Sequence, residues 1–288
     1  MNKSNEIFYK NNNFRLYNNC LISNVAPHEV PNIKDLDELI KKNKALLARW
    51  TDKFDVLEEN DSKQWWYLIK SGKWDILKCK SHDRNEIKKG IKNFDCKIIK
   101  FEEHNKSLYT IYSEATKEYS NLSSNQVTYE EFINDFKENE IIIGAFDKED
   151  GVLSAYSKIF YYNNHDNKKC INLSVLKILP TKKRKSPSAA LMDYICNKFL
   201  NEKKITYICD GERSIRHVTN FQKYLEKYFG FKKVFCRLNV RYSKKIKVII
   251  TILYPLRKVI KKLSMNNKKI YNLYVLLLQE EIVRSFKK

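Results

Sequence analysis

Residues Ile171–Leu179 are largely apolar and stop at Pro180, the length and punctuation of a buried strand. Four cations follow, Lys182 to Lys185, and Ser186-Pro187 then opens a run of helix formers from Ser188 to Leu200. Serine before proline predicts an N-cap with proline at the first helical position. Lys204–Cys209 reads as a short strand ended by a turn at Gly211. Ile215, Val218, Phe221, Leu225 and Tyr228 recur at helical spacing across Ser214–Tyr228. Gly230 suits the end of that helix, and Phe231–Tyr242 alternates as another strand. Upstream, Glu140–Phe146 and Leu153–Tyr162 flank the Lys148–Gly151 turn, a hairpin signal.

Toward the N-terminus, Phe14–Val25 alternates loosely about Asn18-Asn19 and predicts a hairpin. Asp35–Trp50 predicts an amphipathic helix with Leu36, Leu39, Ile40, Leu46 and Leu47 on its apolar side. Phe54–Leu57 and Trp65–Ile69 read as strands, with Ser71-Gly72 as a turn before Trp74–Leu77. Ser81 is the expected N-cap of a basic helix, either a second anion-facing helix start or a solvated face. Toward the C-terminus, cations bracket the apolar stretch Val248–Leu256, and Ile270–Val283 reads as a packed helix.

Composition narrows the chemistry. Of 288 residues 43% are hydrophobic and 13% aromatic, enough for a folded core rather than disorder. Only 6 glycines occur, and neither G-x-x-x-x-G-K-[ST] nor G-x-G-x-x-G is present, which argues against both nucleotide fingerprints. The 7 cysteines form no C-x-x-C and no close Cys/His cluster, so free thiols in a reducing cytoplasm and no metal are expected. His82 and His104 carry no catalytic signature. A strand feeding a basic loop at a helix N-terminus favours phosphate, through free N–H groups, the helix dipole and nearby cations. A basic turn that binds nothing is the alternative.

Residues 103–242, in the order helix, hairpin, strand, basic loop, helix, strand, helix, Gly-Phe, strand, resemble the GNAT family of acyltransferases. They also resemble one half of the related FemAB-type transferases. The GNAT signature of Pro, then Arg/Gln-x-x-Gly-x-Gly/Ala, aligns with Pro180 and Lys183-Arg184-Lys185-Ser186-Pro187-Ser188. Its closing aromatic helix and Gly-Phe are matched by Tyr224 to Phe231. Both motif glycines are serine here, and Pro187 between them removes one N–H donor. The segment from Lys80 to Asn93 is similar to a basic stretch in FemAB-type acyltransferases of surface-polysaccharide loci. The resemblance implies an α/β (α+β) fold, a mixed central sheet flanked by helices. An N-terminal α/β region would occupy 1–102, the acyltransferase domain 103–242 and basic C-terminal helices 243–288.

By the same resemblance, coenzyme A carrying an acetyl or other acyl group would lie against Leu176 and Ile178. Lys183, Arg184, Lys185, Ser186, Ser188 and Ala189 would hold its phosphates. Tyr228 or Tyr224, sharing a helix face with Asn220, would protonate the leaving thiolate. The acceptor would be an amine, such as an amino sugar of a surface polysaccharide. Two other classes remain open: a FemAB-type transferase drawing on aminoacyl-tRNA, and a non-catalytic module docking on membrane or nucleic acid. Net charge is +21, and residues 243–288 hold 12 Lys/Arg against 2 Glu. Nine apolar residues cannot span a bilayer, but a basic apolar segment can lie on an anionic leaflet. A helix packed on the domain would leave the same pattern. Met1–Asn13 lacks the apolar core of a signal peptide. The expected location is therefore cytoplasmic, with peripheral attachment to the inner membrane face through 243–262.

Overall fold

The computed structural model describes residues 14–55, 65–117, 127–136, 139–162, 168–214, 220–264 and 267–286. The strands are β1 (Phe14–Tyr17), β2 (Cys20–Ser23), β3 (Leu47–Asp52), β4 (Trp65–Ser71), β5 (Phe94–Ile99), β6 (Ile141–Asp147), β7 (Leu153–Tyr161), β8 (Cys170–Ile178), β9 (Tyr207–Glu212) and β10 (Lys232–Tyr242). The helices are α1 (Leu36–Lys42), α2 (Ser81–Asn93), α3 (Phe101–Lys117), α4 (Tyr129–Asn134), α5 (Pro187–Ile195), α6 (Asn220–Phe229), α7 (Lys244–Leu253), α8 (Arg257–Leu263) and α9 (Lys268–Ser285). All ten strands join one mixed sheet in the order β1-β2-β3-β10-β4-β9-β8-β7-β6-β5.

The predicted hairpins form where their turn chemistry is local. Asn18 and Asn19 both take the left-handed conformation between β1 and β2, and β6 pairs antiparallel with β7 across Lys148–Gly151. The sheet crosses the expected boundary at 102/103 without a break. β4 inserts between β9 and β10, antiparallel to both, although it lies far from them in sequence.

Several local expectations yield to tertiary pairing or to caps. The helix predicted over Asp35–Trp50 ends at Lys42, because Lys44 turns left-handed at φ 50°. Leu47–Asp52 then pairs with β10 as β3, so one set of apolar positions serves a helix and then a strand. After the Ser71-Gly72 turn, the Asp75 carboxylate accepts from Leu77 N–H and starts a 3₁₀ turn at Ile76–Lys78. Phe54 and Asp55 lie in a turn after β3, and Val56 and Leu57 of that predicted strand lie outside the described residues. Ser81 is the first residue of α2 rather than its cap, and Lys80 before it offers no side-chain cap. Gly211, at φ 88°, lies inside β9 and not in a turn beyond it.

The main core joins the sheet to α5 and α6 through Ile171, Leu173, Leu191, Met192, Ile195, Leu225 and Phe229. α5 continues into a π-helical stretch, Cys196–Glu202, whose Asn201 both accepts from Trp74 N–H and donates to Trp74 C=O at 2.9 Å. α2 crosses α5 in direct backbone contact. A Cβ on Gly90 would meet Ser186 O at 2.6 Å and Ala190 N at 2.7 Å. Helix propensity alone makes Gly→Ala stabilising by up to about 1 kcal/mol, whereas overpacking against backbone costs about 1–3 kcal/mol. Gly90→Ala is therefore expected to lower the denaturant midpoint, with a net loss of roughly 1–2 kcal/mol. An unchanged or raised midpoint would show that α2 does not press on α5.

Candidate functional site

β8 and β9 are parallel but pair over three residues only, Cys170–Asn172 with Tyr207–Cys209. Beyond Asn172, β8 runs on to Ile178 while staying bonded to β7, and β9 runs on to Glu212 while staying bonded to β4. Each strand is held by its outer neighbour, so their inner edges part. A cavity of about 270 Å³ opens between them. Ser174 is a bulge in the β7–β8 ladder; its hydroxyl donates to Lys158 C=O at 3.0 Å, and Ser157 donates to Val175 C=O at 2.9 Å. The extra residue shifts the alternation by one. Leu173, Leu176 and Ile178 consequently face the core shared with α5, while Val175 packs among residues of α3.

The cavity brings together charged groups that sequence order keeps apart. Asp210 on β9 lines it and accepts a hydrogen bond from Gln222 of α6. Burial disfavours its charged form and raises its pKa to about 7. Lys177 lines the same space over the Tyr112 ring, and burial lowers its pKa. Lys183 and Phe221 complete the polar and aromatic sides. Asp210 was not among the sequence-predicted site residues, because Asp-Gly after a strand reads as turn chemistry. The available signal was a carboxylate at the C-terminal end of a parallel strand, where open α/β sheets hold ligands.

The basic loop divides into two halves. Lys182 and Lys185 both donate to Asp147, which is 1% exposed, at 2.7 and 2.8 Å, and they also reach Asp150 and Glu149. These two cations clamp the loop onto the β6–β7 turn. They hold the Asp147 carboxyl well below its ordinary pKa. Lys183 faces the cavity and Arg184 is exposed to solvent.

The start of α5 is more enclosed than the sequence suggests. Ser186 stands where the resembling motif has glycine, and it keeps the left-handed backbone at φ 65°. Its hydroxyl donates to Glu86 of α2 instead of capping α5. Ala189 and Ala190 N–H both donate to Ser186 C=O, and Pro187 has no N–H. Glu86 and the Gly90 crossing therefore cover the expected anion cradle.

The predicted tyrosines do not line the cavity, although Tyr224 stacks on Phe221, which does. Tyr224 is half-buried against Phe229 and accepts a 3.4 Å hydrogen bond from Ser188, while desolvation raises its pKa. Tyr228 packs on Tyr224 in a tilted arrangement with ring centroids 4.8 Å apart. It lines a second cavity of about 200 Å³ together with Cys79, Asp83, Lys70 and Lys227. Asn220, the first residue of α6, is exposed. Thus Leu176, Ile178 and Lys183 converge on the cavity, whereas Tyr228, Tyr224, Lys185, Ser186 and Ala189 do not line it. Among the described residues no three His, Cys, Asp or Glu side chains come together as a metal site.

No protein-family profile and no curated protein matches the chain. Solved structures do. One is the C-terminal domain of an Agrobacterium fabrum protein designated a lysylphosphatidylglycerol synthetase. It is 11% identical and superposes over 83% of this chain and 84% of that one with a TM-score of 0.50. A conserved Bacteroides thetaiotaomicron protein of unknown function is 13% identical over 80% of this chain and 85% of that one, at 0.51. FemX, 9% identical, matches over 70% and 73% at 0.48. The chain has a GNAT-like acyltransferase fold, with helices on a mixed sheet and a parallel pair parted at its centre.

The loop clamp makes a testable contribution to stability. A depressed carboxyl pKa stabilises the fold above about pH 4, the unfolded value, and that contribution is lost as pH falls through the lower folded value. Asp147→Asn should lower the melting temperature by roughly 2–4 °C at pH 7. Differential scanning calorimetry should find the gap closing below about pH 4; a gap independent of pH would contradict the clamp.

Proposed function

We propose that the protein transfers an acyl group to an amine within the β8–β9 cavity. The observation carrying this reading is the parted strand pair with a carboxyl of pKa about 7 beside it. Among the described residues, no strand pairs with β8 from Leu173 to Ile178 on its β9 side. An extended donor arm bearing amides can pair with that edge as an added strand would. Acyl-coenzyme A meets the requirement through its pantetheine arm, with its phosphates within the field of Lys183 and Arg184. The covered start of α5 favours those exposed cations over the helix N-terminus as the phosphate grip.

Chemically, the acceptor nitrogen attacks the thioester carbonyl carbon, and the C–S bond breaks as the tetrahedral intermediate collapses. Asp210 accepts the proton released by the amine. With a pKa of about 7 it can return that proton to the leaving thiolate, whose thiol has a pKa near 8.5. Asp210 thus replaces the helix tyrosines as the group best situated for proton transfer. A second reading, an aminoacyl donor as in FemAB-type enzymes, is favoured by the same enclosure of the α5 start by Glu86 and Gly90.

Release of free thiol from acetyl-coenzyme A, followed with a polyamine, a peptide amine and an amino sugar as acceptors, tests this reading. Turnover should rise with pH along a limb of midpoint near 7. Asp210→Asn should remove the limb and cost about 10²–10⁴ in rate. A carboxyl with a raised pKa weakens the fold as pH rises from its unfolded toward its folded value. The Asn variant should therefore melt no lower than wild type at pH 8, which separates lost chemistry from lost folding. Full turnover in the variant would remove Asp210 from the mechanism. Transfer from aminoacyl-tRNA with none from acetyl-coenzyme A would establish the second reading.

A further inference from the structure

Among the described residues, the C-terminal helices present an apolar face without a partner. Through α7, the 3₁₀ turn Tyr254–Leu256 and α8, the chain stays helical from Lys244 to Leu263. One side of this rod packs inward: Ile250, Leu253, Tyr254 and Ile260 meet Leu277 of α9. The opposite side is apolar and in solvent. Val248, Ile252, Leu256, Val259 and Leu263, spaced four, four, three and four residues apart, are each more than half exposed. Such spacing lines up a single stripe along a helix. An exposed stripe of this length is unusual for a face with no partner.

Cations border the stripe. Lys244, Lys245 and Lys247 flank its start, and Lys258, Lys261 and Lys262 flank its end. Among the described residues none of the six has an acidic partner within 4 Å, whereas Arg257 on the packed side pairs with Glu281 at 3.7 Å. The chemistry selects among possible occupants. A second copy of the chain would press like charges together across the apolar stripe. A nucleic acid would use the lysines but leave the aliphatic side chains against polyphosphate. An anionic bilayer satisfies both features, with aliphatic side chains in the acyl boundary and ammonium groups among the headgroup phosphates.

We propose that residues 244–263 dock the protein on the surface of an anionic lipid bilayer. No helix among the described residues is long and apolar enough to cross a membrane, so the contact is with one leaflet. β9 runs parallel to β8, and β4 is antiparallel to both β9 and β10, so β8, β9 and β10 all point the same way. The cavity widens toward the C-terminal ends of these strands, and α7 leaves the sheet from that edge. Docking itself does not depend on the acyl-transfer reading.

Flotation of the full chain with vesicles tests the proposal without any activity measurement. The chain should float with mixed phosphatidylglycerol–phosphatidylcholine vesicles at low salt and not with phosphatidylcholine alone. Binding should weaken as salt rises. Reversing Lys258, Lys261 and Lys262 to Glu should lower partitioning by at least about 100-fold, since each cation is worth roughly fivefold. Ile252→Ser with Leu256→Ser should lower it by roughly tenfold or more. These side chains are exposed, so melting curves should match wild type. Absence of flotation with anionic vesicles, or flotation indifferent to both sets of variants, overturns the proposal. So does a dimer, seen by light scattering, that dissociates in the serine variant without any vesicle binding. RNA binding that needs the lysines but not Ile252 or Leu256, with no flotation, overturns it as well.

Discussion

The short pairing of β8 with β9 is the constraint on which the rest depends. Two parallel strands inside one sheet normally bond along their shared length, since an unpaired buried ladder is costly. Here each strand is recruited by its other neighbour: β8 follows β7 through the Ser174 bulge, and β9 follows β4. The result is an open seam in the middle of the sheet, with backbone groups of β8 turned toward it. Ser174 and Ser157 fix the bulge by donating to the carbonyls of Lys158 and Val175, so the opening is built into the register and does not need a ligand to create it. Asp210, one residue past the last paired position of β9, occupies the seam for the same reason.

Around that seam, ion pairing and close packing decide what stays available. Of the four cations in the loop after β8, Asp147, Asp150 and Glu149 hold Lys182 and Lys185. α2 lies over the start of α5, with Glu86 on the Ser186 hydroxyl and Gly90 on its backbone. Sequence similarity to a phosphate-binding turn thus overstates the exposed charge. The loop keeps its left-handed bend without glycine because surrounding contacts fix it: Ser186 N–H donates to Lys183 C=O while its hydroxyl is engaged by α2. The face left open for a donor is the strand edge and the Lys183 side of the cavity.

What the sequence made legible was local. The length and punctuation of β8, Ser186-Pro187 at the start of α5, and Gly230 before β10 follow from turn and cap chemistry within a few residues. Insertion of β4 between β9 and β10 was not legible, because long-range strand pairing leaves no short-range mark. The apolar spacing of Leu36, Leu39, Ile40, Leu46 and Leu47 suits one long helix, yet pairing with β10 makes the second part a strand. Leu176, Ile178 and Lys183, grouped from the motif, line one cavity. Asp210 was missed, since a carboxylate before glycine looks like a turn until the neighbouring strand departs. Tyr224 and Tyr228 share a helix face; Tyr224 reaches Ser188 of α5 and stacks on Phe221 at the cavity wall, while Tyr228 lines the Cys79–Asp83 cavity.

Amide hydrogen exchange on the full chain, with and without saturating acetyl-coenzyme A, examines the open strand edge directly. If the donor lies along β8, exchange at residues 173–178 slows on addition of the ligand, with little change in the outer strands β1 and β2. Binding that leaves residues 173–178 unaltered, and protects instead the 70–80 region around the second cavity, would contradict the assignment of the β8–β9 seam as the donor site.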